Sequence, residues 1–397
     1  VTPQDATSCD VDYDDSLGMG GVWESAMITR LYVDNYKCLV NFEYRPARLQ
    51  LLYGDNGAGK STVFEVLAQI RQLVTWGGTT AQVFPGASLT AWQTRPEQVF
   101  ELDLDDEHGP YRYRLVIQHD RQLGRSGIKH ELLALGDKTL YEFDGQDVHL
   151  YDDDGLAGPV YPGEGSRSAI SAIPERPNNQ HLCRFRVRLG VVYVFSIDPR
   201  KMEVASFLEQ AAPDPSLSNF ASWYRHLTQD SPEAMQPLFE SLGEVITGFS
   251  SLKLTSAGET ARVLRAAFLA PRSEERVAEP YFLMLNQLSE GQRCLMALYT
   301  ILHCAVERGR TICIDEPDNF VALRELQPWI ESIRDRVEEE SSQCLLISHH
   351  PELLDRLATQ HGAYFRREQF GPARVDNVTW PDDGLRPSEI IARGWEG

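Results

Sequence analysis

The sequence predicts an α/β fold: a buried, largely parallel sheet flanked by helices, carrying a mixed to antiparallel β lobe and an inserted helical segment. Three observations carry this reading. Short, predominantly apolar runs at 49–53, 311–314 and 344–347 have the composition of strands buried on both faces. Helical periodicity follows each of them, most clearly at Val63, Phe64, Val66, Leu67 and Ile70. Between 99 and 151 the pattern changes to alternation (99–104, 111–118, 140–143, 148–151), broken by turn clusters such as Glu107-His108-Gly109-Pro110 and Asp144-Gly145.

Composition narrows what such a fold can do. With 397 residues, a sizeable core and more than one lobe are within reach. The net charge of −20 opposes wrapping of nucleic acid by the surface as a whole. No apolar run is long enough to span a bilayer and the first residues are acidic, so the expectation is a cytoplasmic protein without a membrane. Seven cysteines with no C-x-x-C spacing predict buried thiols and neither a disulfide framework nor a zinc site.

Taken in order, residues 1–26, with Asp10, Asp12, Asp14 and Asp15, read as a flexible acidic extension. Strand patterns around Ile28, Leu31 and Val33 and at 39–44 lead to Gly54-Asp55-Asn56-Gly57-Ala58-Gly59-Lys60-Ser61, followed by Thr62. This is G-x-x-x-x-G-K-[ST] between a strand and a helix, the phosphate loop of a P-loop NTPase. Glycines let backbone N–H groups converge on phosphate oxygens, and the helix start adds its positive dipole end. Lys60 would reach the β- and γ-phosphates of ATP, and the Ser61 hydroxyl would ligate Mg²⁺.

Residues 76–200 read as an inserted antiparallel region with a long loop at 152–180, rich in Gly, Pro and Asn. Arg184, Arg186 and Arg188 follow. On a strand all three share a face; on a helix only Arg184 and Arg188 do. Phosphate or DNA contact is one use for them, and pairing with the protein's own carboxylates is the expected one. The stretch 201–280 mixes helical patterns with a strand near 263–269, and its prolines leave no sustained heptads. The core resumes at 281–370, completing the half begun at 27–75, and 371–397 reads as a tail.

The closing third holds three more motifs. An apolar strand ends in Asp315-Glu316, where Asp315 would hold Mg²⁺ opposite Ser61 and Glu316 would serve as general base toward water. Leu288-Ser289-Glu290-Gly291-Gln292 precedes an apolar helix. Ser289 and Gln292 fit a capping box, and the same helix tip can receive a phosphate. Ser348-His349-His350 ends the strand at 344–347, and adjacent histidines on an extended segment point opposite ways.

The second of these stretches resembles the L-S-G-G-Q signature of ABC-type ATPases, with Glu290 where glycine is usual and Gly291 lying 24 residues before Asp315. His349 matches their switch histidine. The 229-residue separation of Ser289 from Lys60, with Asn35-Tyr36-Lys37-Cys38-Leu39, resembles the branch containing RecF, the structural-maintenance-of-chromosomes (SMC) ATPases and the overcoming-lysogenization-defect (OLD) family. That likeness covers about 27–75 and 281–366. It implies an ABC-ATPase-like head in which Gly54, Asn56, Gly57, Ala58, Gly59, Lys60, Ser61 and Thr62 of one subunit hold ATP while Ser289, Gly291 and Gln292 of another complete the site. Glu316 and His349 would be catalytic, and Lys37 a secondary phosphate contact. It further implies an ATP-linked homodimer, an effector protein partner or DNA, and a role in DNA maintenance or antiviral defence. A nucleotide-gated sensor or a transporter's energising subunit are the alternatives. About thirty residues follow Arg366, too few for the nuclease domain of OLD proteins.

Overall fold

The computed structural model describes residues 27–270, 280–376, 378, 380 and 385–393, so the acidic extension expected at 1–26 lies outside the described residues. Its centre is a six-stranded sheet in the order Val192–Phe195, Thr311–Asp315, Gln343–Ile347, Leu49–Gly54, Gly362–Arg366, Arg374–Asp376. All neighbours are parallel except the last pair. Because side chains alternate along a strand, the sheet feeds two separate cores. Leu51, Tyr53, Ile312, Ile314, Cys344 and Leu346 face one; Leu52, Cys313, Leu345 and Ile347 face the other. Burial on both faces is why these strands carry no polar alternation.

The core reached by Leu52 is covered by the helices Lys60–Trp76 and Gln180–Gly190 and by an eight-stranded antiparallel sheet. The opposite core is covered by Phe220–Asp230, Glu290–Cys304, Leu323–Glu339 and Pro351–His361. A third sheet, built from Ala205–Ser206, Phe249–Ser256, Arg262–Leu269 and Pro280–Met284, packs on that side. Among the described residues the cysteines Cys38, Cys183, Cys294, Cys304, Cys313 and Cys344 are buried free thiols.

Several boundaries differ from those the sequence suggests. Met27–Asp34 and Phe42–Tyr44, assigned to the nucleotide core, are strands of the antiparallel sheet, where Met27–Asp34 pairs with Glu97–Asp106. Val192–Phe195, assigned to the insertion, is instead the edge of the parallel sheet. The expected loop 152–180 contains the strand Ala157–Pro162 and a 3₁₀ turn, Ala169–Ala172. That strand is exposed along its whole length, so no apolar alternation marks it. The core also runs past 370: Arg374–Asp376 extends the central sheet, and Pro387–Ala392 is a helix packed on Pro351–His361.

The arginine triplet lies on a helix, and its partners are internal. Arg184 and Arg188 reach the Asp106 carboxylate at 3.0 and 2.7 Å, and Arg186 donates to the carbonyls of Ile170 and Ile173. Burial alone would raise the Asp106 carboxyl; Arg188 and Arg184 overcome it and hold the group below its usual range.

One buried polar side chain joins the two sheets. Gln343 begins the strand that ends at Ile347. Its amide donates to the Ile28 and Ala47 carbonyls, while its oxygen accepts from Ile28 N (3.0 Å) and the Thr311 hydroxyl (3.1 Å). Fully buried, it meets the requirement that such a group find partners.

Candidate functional site

The phosphate loop turns between Leu49–Gly54, buried at every position, and the helix Lys60–Trp76. Two of its glycines are needed for their shape. Gly54 has φ +128°, and a Cβ there would stand 1.9 Å from the Phe365 carbonyl oxygen. Gly59 has φ +103° and lies against Cys38 and Ala373. The loop is therefore gripped from behind by Phe365 and from the side by Ala373 and Cys38. Its crown, Asp55, Asn56 and Gly57, is exposed, as is Ser61, while Ala58, Gly59 and Lys60 are buried and Thr62 half-buried.

Lys60 is 5% exposed, and its Nζ donates to the carbonyls of Gly54 and Asp55, both at 2.8 Å. Burial pulls its ammonium down to about 8, against the opposing pull of Asp315, Asp55 and Glu316. Burial raises the Asp315 carboxyl above its usual range, and the nearby Ser61 hydroxyl and Lys60 charge act against that rise. A hydroxyl and a carboxylate close to one another beside a buried ammonium make an oxygen donor set that suits Mg²⁺ bound with phosphates.

Glu316 follows Asp315 with φ +52°, a left-handed turn rare outside glycine. Its N–H still donates to the Ile347 carbonyl at 2.9 Å. The turn, rather than simple strand alternation, sets the backbone from which its carboxylate projects. Asn319 Nδ2 donates to that carboxylate at 2.7 Å. On the neighbouring strand end, buried Ser348 donates to Asp318 (2.6 Å) and accepts from His350 N. His350 caps the next helix, its Nδ1 accepting from Glu352 N, which leaves His349 as the exposed member of the pair. Burial and then the Lys60 charge lower the His349 imidazole, while Glu316, Asp318 and Asp55 pull the other way. Lys60, Asp315, Glu316 and His349 thus lie within electrostatic reach of one another. Lys37 does not join them. Its Nζ pairs with Glu65 on the phosphate-loop helix, at 2.5 to 2.7 Å.

The signature stretch forms a second helix tip. Gln292 N donates to Ser289 Oγ at 3.1 Å and Ser289 N to Gln292 Oε1 at 3.0 Å, a complete capping box. Because Ser289 Oγ is used as an acceptor, its own proton remains available to a ligand. Gly291 leaves no room for a side chain, since a Cβ would come within 2.8 Å of the Phe320 carbonyl oxygen. Beside the tip opens a groove of about 470 Å³ lined by Thr247, Ser289, Gln292 and Arg324 among others.

Sequence reasoning missed the neighbours that trim these groups. Arg200 lies over the Phe320 ring; its Asp198 pairing, with Glu290 beyond, holds its guanidinium above the usual range. Asp318 and Asn319 sit in the same turn as Asp315 and Glu316, which was the available signal for them.

Residues 254–355 match a family model described as "AAA domain, putative AbiEii toxin, Type IV TA system". No curated protein matches the chain. Among solved structures, an Smc head bound to the C-winged helix domain of ScpA aligns with a TM-score of 0.53 and 12% identity, over 89% of this chain and 98% of that one. The Smc head with an extended coiled coil bound to the C-terminal domain of ScpA, from Pyrococcus furiosus, aligns with a TM-score of 0.52 and 11% identity, over 93% and 98%. The chain has the fold of an SMC-type ATPase head. Among the described residues no helix is long and apolar enough to cross a membrane.

Proposed function

We propose that this protein binds and hydrolyses ATP and dimerises around it, each nucleotide lying between the phosphate loop of one copy and the Ser289 helix tip of the other. The convergence of Ser61, Asp315 and Lys60 carries this reading, because it sets the hydroxyl of the phosphate loop and the acid of the second motif beside one buried ammonium. Lys60 would leave the Gly54 and Asp55 carbonyls for the β- and γ-phosphates. Ser61 and Asp315 would hold Mg²⁺, which when bound would neutralise charge on the phosphate oxygens. Glu316 would accept a proton from water as its oxygen attacks the γ-phosphorus. The bond to the β,γ-bridging oxygen then breaks, and ADP leaves with the electron pair. A neutral His349 can hydrogen-bond the γ-phosphate without meeting Lys60 as a second cation.

A protein is the favoured partner for such an engine. Two solved heads of this fold are described with ScpA domains, and the matched family is described with a toxin–antitoxin system, which suits a role in defence or DNA maintenance through an effector. DNA is the weaker candidate: the net charge is −20, and Arg184, Arg186 and Arg188 are engaged internally.

Size-exclusion with and without MgATP tests the reading. Glu316→Gln should accumulate an ATP-bound dimer and lose phosphate release, while Lys60→Ala should stay monomeric. A Glu316→Gln protein that binds ATP yet remains monomeric would remove the dimer. Unchanged phosphate release in that variant would remove Glu316 as the base.

A further inference from the structure

We propose that Trp92, Arg367 and Phe370 form a stacking platform for the base of the nucleotide whose phosphates lie on the 54–61 loop, an inference that rests on the phosphate-loop reading above. The three residues come from distant parts of the chain and meet at the rim of that loop. Arg367 Nη1 lies 3.5 Å from the Gly57 carbonyl oxygen, and its guanidinium carbon stands 5.2 Å from the centre of the Trp92 ring and 5.9 Å from that of Phe370. Both rings face solvent, Trp92 at 46% exposure and Phe370 at 86%. Large aromatic surface left in water beside a polar loop calls for an explanation in a way that a scattered surface leucine does not.

Both sides of the platform are fixed to the loop they flank. The turn carrying Trp92 is tied to the segment before the phosphate loop: Lys37 N donates to Ser88 O (2.7 Å), Thr90 N to Asn35 O (3.4 Å), and Tyr36 bridges Leu89. That segment supplies the Cys38 that touches Gly59. The turn carrying Arg367 and Phe370 begins just after Phe365, which meets Gly54, and ends at Ala373, which meets Gly59 and whose N–H donates to Cys38 O. Within it Gln369 and Phe370 both hold positive φ, +46° and +60°. Arg367 braces that conformation by donating to the carbonyls of Gly371 (2.6 Å) and Phe370 (2.8 Å). A left-handed backbone at a phenylalanine is uncommon and runs against its preference. Here it leaves the ring outside the core, beside the guanidinium.

Once the loop has taken the phosphates, the sugar and base must lie over its rim. Two π faces and a delocalised cation at Gly57 offer a flat aromatic ring stacking and cation–π contact. Platform contacts of this kind reward ring area and read no hydrogen-bonding edge. ATP and GTP should therefore bind within a few-fold of each other, and CTP and UTP more weakly.

Calorimetric titration of the full chain with MgATP, and separately with magnesium tripolyphosphate, tests the platform because only one ligand has a base. Wild type should prefer ATP by about tenfold or more, the size of one stacking contact. Trp92→Ala should lose about tenfold for ATP and nothing for tripolyphosphate, and Trp92→Phe should retain most of the preference. Phe370→Ala, which removes a ring the fold does not bury, should weaken ATP in the same direction by a smaller factor. ATP affinity unchanged in Trp92→Ala and Phe370→Ala, or equal losses for both ligands, overturns the platform and leaves the phosphate loop standing. A folded wild type that binds neither ligand overturns the phosphate-loop reading itself.

Discussion

Lys60 and Ser289 each sit at the start of a helix, and in the proposed dimer both touch one triphosphate, yet their surroundings differ. The phosphate loop is enclosed: Phe365, Ala373 and Cys38 press on its glycines, and Lys60 is buried on two carbonyls of its own loop. The signature tip is open. Ser289 and Glu290 are exposed, the tip keeps its shape through its own capping box, and Arg200, within electrostatic reach of Glu290, is already bridged to Asp198. In the proposed mechanism the first half has its backbone shape set in advance and would bind nucleotide by itself once Lys60 turns from its own carbonyls. The second offers a correctly shaped helix end whose value depends on a partner arriving, as expected of a surface that must close and release.

The sharpest way to break this contrast is to add one methyl group to each half. Gly54→Ala combines a positive φ with a clash against Phe365 O and should destabilise the fold by about 2 kcal/mol or more while abolishing ATP binding, read by thermal melting and calorimetry. Gly291→Ala should leave monomeric ATP binding intact and eliminate the ATP-dependent dimer. Equal effects of the two would erase the distinction.

Ser289 separates the structural from the ligand role more finely. Ser289→Ala should lose about 1 kcal/mol of stability with the cap, and Ser289→Gly only a few tenths, whereas both should lose the dimer. If Ser289→Gly dimerises normally, the hydroxyl serves only its own helix.

The enclosed half should also respond to pH. The folded-state value of Lys60 lies near 8, below its ordinary 10.5, so the folded protein sheds this proton first. Its stability gains from that group as pH rises from about 8 to 10.5, while ATP affinity, which needs the ammonium, falls above about pH 8. Titrations at pH 7, 8 and 9 should show that fall in wild type and a flatter profile in Lys60→Arg.

Glu290 carries the smallest expected effect. Glu290→Gln removes a like charge from the neighbourhood of the γ-phosphate and should tighten the ATP-dependent dimer a few-fold, at a loss of about 0.5 kcal/mol from the helix start. Light scattering across a protein dilution series measures the first.

What could be read from the chain beforehand was whatever is encoded locally. The phosphate loop, the Asp315-Glu316 strand end and the Ser289 cap are each specified within a dozen neighbouring residues. Ala157–Pro162 escaped because an edge strand exposed on both faces has no alternation, and Arg374–Asp376 because three residues make no pattern. The helix Gln180–Gly190 carries alternating arginines that imitate a strand, so local pattern alone does not decide it. Trp92 and Arg367 meet only through the tertiary fold, and no spacing announces them. The same holds for the left-handed turn at Glu316, since Asp-Glu-Pro is an ordinary strand ending and only the pairing with Ile347 fixes its direction.

Gln343 has a mechanical consequence. It anchors the far end of the five-residue rod whose other end leads into His349, and it grips Ile28 through both its amide and its carbonyl. A push delivered at the histidine when a phosphate docks or departs would reach the antiparallel lobe along that β segment, which Gln343 ties to Ile28. Amide hydrogen exchange at Ile28 reads this thrust directly: a rate indifferent to nucleotide would mean the rod stops short of the lobe.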